Sequence, residues 1–171
     1  MKYQHGNTKL LNSKKLGLLA SRQEQPEISG MLPNIINGIT QSDSQVLVSG
    51  WHSPIERRVH DRLVREYIPH IHVGAKSLEK MTCELPDDDV LFLTDCAPGV
   101  NRISRQTALH RNRSICEISS SLLIPWLNPS GDTHRIVKEW CDKKPVYVFD
   151  SLYNIELIKA GAKEILPFFT G

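Results

Sequence analysis

The chain has 171 residues, of which 40% are hydrophobic and 23% charged, with a net charge of +2. That length accommodates one domain with a buried core and not two full ones, and the composition excludes disordered and fibrous classes. The charge is too small to imply a nucleic-acid partner by itself, and no apolar run approaches the roughly 18 residues that span a bilayer, so membrane insertion is excluded as an expectation.

Elements follow in chain order. Residues 1–14 are polar at their start ("MKYQHGNTKLLN") and are expected to form an arm, with a single domain over 15–171. "KLGLLAS" (15–21) reads as a strand. Ile28, Met31, Leu32, Ile35, Ile36 and Ile39 have helical spacing within 27–42. "QVLVSG" is the next strand. "PIERRVHDRLVREY" is a helix with Ile55, Val59, Leu63 and Val64 on one side and Pro54 at its first position. "HIHVG" and "DVLFLTD" (89–95) are strands, and "CELPDDD" between them is an acidic loop. Residues 101–119 lack breakers and read as a helix. "SSLLIPW", "DTHRIVKEWCDK", "PVYVFDS" and "NIELIKAGA" continue as strand, helix, strand and short helix. Near-continuous apolar strands alternating with amphipathic helices imply an α/β fold: a Rossmann-like, doubly wound, mainly parallel sheet with helices on both faces.

In such a sheet, ligands bind where loops leave the C-terminal ends of the strands. Four loops qualify: "ASRQEQ", "SGWHSP", "DCAPGVNR" and "LNPSGDTHR". Helix N-termini attract anions, glycine allows close backbone approach, and hydroxyls donate hydrogen bonds. Ser49, Gly50, Ser53, Ser130, Gly131 and Thr133 therefore suit a phosphate, and His52 is the histidine best placed to face it. Ser53 and Asp132 serve equally as helix caps. Arg111, Asn112 and Arg113 in "HRNRS" suit bidentate phosphate binding or a solvated helix face. Glu56 and Asp132 are weak catalytic candidates by position, and Glu56 equally suits the helix dipole.

Cys83, Cys96, Cys116 and Cys141 have no C-x-x-C spacing, which points to reduced thiols in a cytoplasmic protein rather than zinc or disulfides. His70 and His72 flank Ile71 and would share one face of a strand, yet no third ligand is near in sequence, so no metal and no cofactor is expected. Hydrolase-elbow, P-loop and dinucleotide signatures are absent.

With these residues assembled, the chain resembles the Rossmann-like domain of the DNA-processing protein A (Smf) family, in the wider SLOG group, over about residues 15–150. "LLASRQ" looks like the family's first-strand G-S-R motif with Ala20 for glycine. "VLVSGWHSPIERRVHDRL" looks like its strand, Ser-Gly turn and helix. It is closer to short members reading S-G-[FW]-H-S-P-x-E than to longer competence proteins reading S-G-x-A-x-G-x-D. "ALHRNRSICEISSSLLIPW" and "NPSGDTHRIVKEWCDKKPVYVFD" resemble the R-N-R and S-G-[ST]-x-x-T segments. The resemblance implies an anion pocket lined by Ser21, Arg22, Ser49, Gly50, Arg111, Asn112, Arg113, Ser130, Gly131 and Thr133. It also implies single-stranded DNA as a partner and a possible homodimer. The phosphoribohydrolase signature P-G-G-x-G-T-x-x-E, found in the same superfamily, is missing.

Three functions are therefore carried forward. The first is a non-enzymatic domain binding nucleotide or single-stranded nucleic acid phosphates. The second is a nucleotide-processing enzyme of the phosphoribohydrolase or N-glycosidase type. The third is a protein-interaction module with a vestigial pocket, for which an exposed Trp51 would serve as a contact.

Overall fold

The computed structural model describes residues 1–23, 25, 30, 37, 45–81 and 86–165. Among these, eight strands form one sheet in the order β1-β5-β4-β3-β2-β6-β7-β8. They are β1 (Tyr3–Gly6), β2 (Lys15–Leu18), β3 (Val46–Ser49), β4 (His70–Val73), β5 (Val90–Thr94), β6 (Ser121–Ile124), β7 (Val146–Phe149) and β8 (Lys163–Ile165). The strands from β2 to β8 pair in parallel, and β1 closes one edge antiparallel to β5. The α-helices whose bounds fall within the described residues are α1 (Pro54–Arg65), α2 (Arg105–Ile118), α3 (Asp132–Lys138) and α4 (Ile155–Lys159).

Strand alternation sends side chains to two cores. On one face Leu18, Leu47, Leu123 and Phe149 pack with Val59 and Leu63 of α1 and with Trp51. On the other, Val48, Ile71, Leu91, Leu122 and Val148 pack with Ile115 of α2, Ile136 and Val137 of α3 and Leu157 of α4. Both faces are thus covered by helices, as the apolar strands require. In α1, Ile55, Val59 and Leu63 are at most 1% exposed, and each contributes about 1.5–3 kcal/mol by leaving water.

The ends of α1 are written in its sequence. Ser53 caps it, Pro54 follows, and Glu56 completes a capping box. At the other end Tyr67 takes a left-handed φ of 54°. The Tyr67 and Ile68 amides return to the carbonyls of Val64 and Leu63, which is a Schellman ending.

Several boundaries differ from expectation. Residues 3–6, within the segment expected as a polar arm, form β1. The helix expected from residue 101 begins at Arg105, because Ser104 and Thr107 cap each other's backbone there. The helix expected over 132–143 ends at Lys138, where Glu139 and Trp140 switch to bonds on the third residue back and tighten the chain into turns. The expected short helix over 154–162 is a 3-10 turn at Leu152–Asn154 followed by α4. The helix expected over 27–42 lies almost wholly outside the described residues, as do Cys83 and part of the acidic loop.

Strand order reverses at β2. The chain builds outward through β3, β4 and β5, then returns to place β6 on the opposite side of β2. Loops leaving β2 and β6 part at this point, which is where an open parallel sheet offers a crevice.

Candidate functional site

A cleft of about 440 Å³ lies at this reversal. Leu19 and Ala20 come to it from the end of β2, with Arg22 beyond. His52, Ser53 and Glu56 come from the β3–α1 turn, and Asp132 and Thr133 from the start of α3. The fourth wall is α2 with the residues before it: Ile103, Ser104, Arg105, Ala108, Leu109, Arg111 and Asn112.

The β3–α1 turn is built around Glu56, which is 3% exposed. Its Oε1 accepts the Ala20 amide at 2.9 Å, and its Oε2 accepts those of His52 at 2.8 Å and Ser53 at 3.3 Å. One carboxylate therefore fastens the end of β2 to the turn after β3. Both oxygens accept backbone amides, so Glu56 shapes the cleft by tying its walls together. Ser49 does similar work one layer deeper. Its hydroxyl donates to the Leu18 carbonyl at 2.8 Å and accepts the Trp51 amide at 3.3 Å.

Arg111 is the cleft's buried cation, 7% exposed. Its Nε and Nη2 both donate to Asn112 Oδ1, at 3.0 and 2.8 Å, and Asn112 Nδ2 donates to Thr133 Oγ1 at 2.9 Å. Nη1 is buried with no protein acceptor, an arrangement that costs energy unless another acceptor meets it. Burial pulls the Arg111 pKa down, Glu56 opposes the shift and Arg22 adds to it. The guanidinium lies against Gly50, where a Cβ would stand 2.6 Å from Nε and 2.9 Å from Cζ. Gly50 thus leaves room for an arginine side chain.

His52 is half-buried. Burial first, then the charges of Arg111, Arg22, Arg57 and Lys76, push its pKa down to about 4. It faces the cleft as a neutral imidazole at physiological pH. At the rim, Asp132 accepts Arg105 Nε at 2.7 Å and Nη2 at 2.9 Å, and it pairs also with Arg135. The Arg105 hydrogen bonds, reinforced by those from Arg135, bring the Asp132 pKa down to about 2.

Of the residues expected at the anion pocket, Arg22, His52, Ser53, Arg111, Asn112 and Thr133 line the cleft, together with Glu56 and Asp132. The others do not. Ser21 accepts the Asn128 amide at 2.8 Å and so joins the loops after β2 and β6. Ser130 is tied to Asn128 Oδ1 through its amide and hydroxyl. Gly131 caps α3, with its amide on the Asn128 carbonyl. Arg113 is exposed, because two residues turn a helix by about 200° and carry it away from Arg111's side. Arg105 belongs to none of the sequence motifs and joins the cleft through its ion pair with Asp132.

Trp51 is 6% exposed and so offers no surface contact. It sits on His60 and His70, at ring separations of 5.0 and 5.4 Å. His70 and His72 do share a face, with His72 beside Phe92. Among the described residues no group of three His, Cys, Asp or Glu is arranged to hold a metal, and no helix is long and apolar enough to cross a membrane.

No model of a known protein family matches the sequence, and no curated protein matches it. Solved structures do match by fold. DNA processing protein A from Helicobacter pylori, described in its single-stranded DNA binding mode, has a TM-score of 0.75 at 19% identity, covering 95% of this chain and 80% of that one. DNA processing protein A from Streptococcus pneumoniae has a TM-score of 0.78 at 19% identity, covering 95% of this chain. The present chain spans 62% of that protein's structure. A molybdenum cofactor binding protein from Rippkaea orientalis has a TM-score of 0.63 at 13% identity over 91% of each chain. The fold of this chain is that of the DNA processing protein A structures, a mostly parallel Rossmann-like sheet.

Proposed function

We propose that this protein is a binding domain for the phosphates of single-stranded nucleic acid or of a nucleotide, held at the cleft beside β2. The observation that carries the reading is Arg111: a buried guanidinium held along its Nε–Nη2 edge by Asn112 Oδ1, with Nη1 left without a protein acceptor, at a cleft that also holds Arg22. A planar guanidinium in that state is suited to a phosphate oxygen. The likeness in fold to a protein described in its single-stranded DNA binding mode supports the same reading. A binding role also agrees with Glu56, whose carboxylate is consumed by three amides.

Fluorescence anisotropy with a labelled oligothymidylate tests it. Wild type binds at low salt, and affinity falls with rising salt by about 0.7 log units per log unit of salt for each phosphate contacted. Arg22→Ala lowers that slope by about one contact. Arg111→Lys keeps the charge, loses the fork and weakens binding about tenfold or more. A wild type that binds neither the oligonucleotide nor a nucleoside monophosphate at low salt would overturn the proposal. So would unchanged affinity in the Arg22→Ala, Arg111→Lys double variant.

A further inference from the structure

The rim of the cleft carries a negative charge where an anion site would be expected to carry none. Asp132 lines the same cleft as Arg22 and Arg111, and it engages Arg105 through both carboxylate oxygens, at 2.7 and 2.9 Å. The pair joins the first residue of α2 to the first residue of α3 across the opening. Its two ends differ in exposure: the Arg105 side chain is 77% exposed and that of Asp132 22%. Arg105 is therefore the partner open to solvent, and an exposed ion pair of this kind is weak enough for a competing anion to replace.

On the reading that the cleft binds phosphate, we propose that Asp132 is a specificity-determining residue. It withholds Arg105 from the site and penalises a doubly charged phosphate. The cleft then favours the singly charged phosphodiester linkages of single-stranded nucleic acid over the terminal phosphate of a free nucleotide.

A phosphodiester carries one negative charge, whereas a phosphomonoester carries about −1.5 to −2 near pH 7. Repulsion from a fixed carboxylate scales with ligand charge and so falls harder on the monoester. The opposing cations are Arg22 and Arg111 in the cleft and Arg105 and Arg135 on Asp132 itself, with Arg57 and Lys76 near enough to act on His52. Glu56 sits beneath, its charge already met by three amides. Asp132 is the cleft's one carboxylate, among the described residues, whose partners are rim arginines able to leave it.

Affinities of the full chain for labelled oligothymidylate and for thymidine monophosphate decide the matter, measured for wild type, Asp132→Asn and Asp142→Asn. Asp142 is exposed and does not line the cleft, so its variant makes the same change in net charge elsewhere. Asp132→Asn should tighten the oligonucleotide about threefold and the monophosphate about tenfold, with Asp142→Asn leaving both within error. Adding Arg105→Ala to Asp132→Asn should remove the part of the gain that the released guanidinium supplies.

The proposal falls if Asp132→Asn leaves affinity unchanged or lowers it. It falls equally if both ligands gain by the same factor, or if Asp142→Asn reproduces the effect. Circular dichroism and a thermal melt of each variant separate a changed site from a changed fold. If neither wild type nor Asp132→Asn binds either ligand, the phosphate reading itself fails. If wild type binds both and Asp132→Asn alters neither, that reading stands and only the role of Asp132 is lost.

Discussion

Glu56 gathers into one side chain what the sequence presents as separate motifs. Its position three residues after Ser53 makes a capping box, but its burial and its bond to the Ala20 amide extend that local device across two strands. Glu56→Gln would keep the size and lose the charge, and its amide nitrogen would face a backbone donor. A buried charged acceptor of this kind is worth about 1.5–3 kcal/mol. We expect Glu56→Gln to lower unfolding free energy by about 2 kcal/mol in urea titrations. Because the substitution loosens the turn that presents His52, oligonucleotide affinity should drop with it. A variant with wild-type stability would show that the three amides are satisfied without the carboxylate.

Between elements, the contact of α1 with β4 and the β3–α1 turn holds His60, His70, His72 and Trp51 together. His60 lies 4.9 Å from His70 and 6.1 Å from His72, ring to ring. His60 Nε2, His70 Nε2 and His72 Nδ1 are buried without partners. Burial pushes His70 down to about 4, against its Nδ1 bond to the Ile68 carbonyl at 3.0 Å. Burial lowers His60 and His72 as well; Asp61 opposes the shift in His60, while His60, His70, His52 and Arg111 deepen that in His72. A histidine whose folded pKa is depressed binds fewer protons folded than unfolded, so stability is full above about pH 6.5 and is lost as pH falls toward 4. For His70 alone the loss between pH 7.5 and pH 5 is about 2 kcal/mol. Urea midpoints measured across that range should fall steeply in wild type and less in His70→Gln. Trp51 emission should report the same transition, since the indole lies against two of the rings.

At the scale of the whole molecule, the N-terminal strand closes an edge. Tyr3 to Gly6 pair with Thr94 to Leu91, the Lys2 amide meets Asp95 Oδ1 at 2.8 Å, and the Asn7 amide meets the Val90 carbonyl at 2.9 Å. Removing residues 1–7 would bare the backbone of β5, whose five residues are all buried. An uncovered apolar edge pairs with other chains. The truncated protein should melt at lower temperature and form larger, concentration-dependent species on size-exclusion chromatography. A monodisperse truncation melting like wild type would mean that β1 adds nothing to the edge.

Taken alone, the sequence determined the α/β class, the mainly parallel arrangement of apolar strands and the start of α1. Those features depend on local pattern: apolar runs of strand length, a capping box at Ser53 and Glu56, and Pro54 at a first helical position. It also pointed to the edge of the sheet where the cleft opens, because Ser-Gly turns before helices mark the C-terminal ends of parallel strands. Only the tertiary structure decided which residues at that edge face the cleft. The rotation of α2 turns Arg111 inward and Arg113 outward, and no spacing rule distinguishes them without knowing which side of α2 meets the sheet. Packing turned Ser49 and Ser21 into ties between loops, and Gly50 into clearance for a guanidinium. Arg105 entered the site through an ion pair between two helices that are 27 positions apart in the chain. The strand "YQHG" has no apolar alternation and becomes a strand because the edge of β5 is there to pair with it. Local chemistry therefore settles elements and caps, while side-chain direction at a site depends on how distant elements press together.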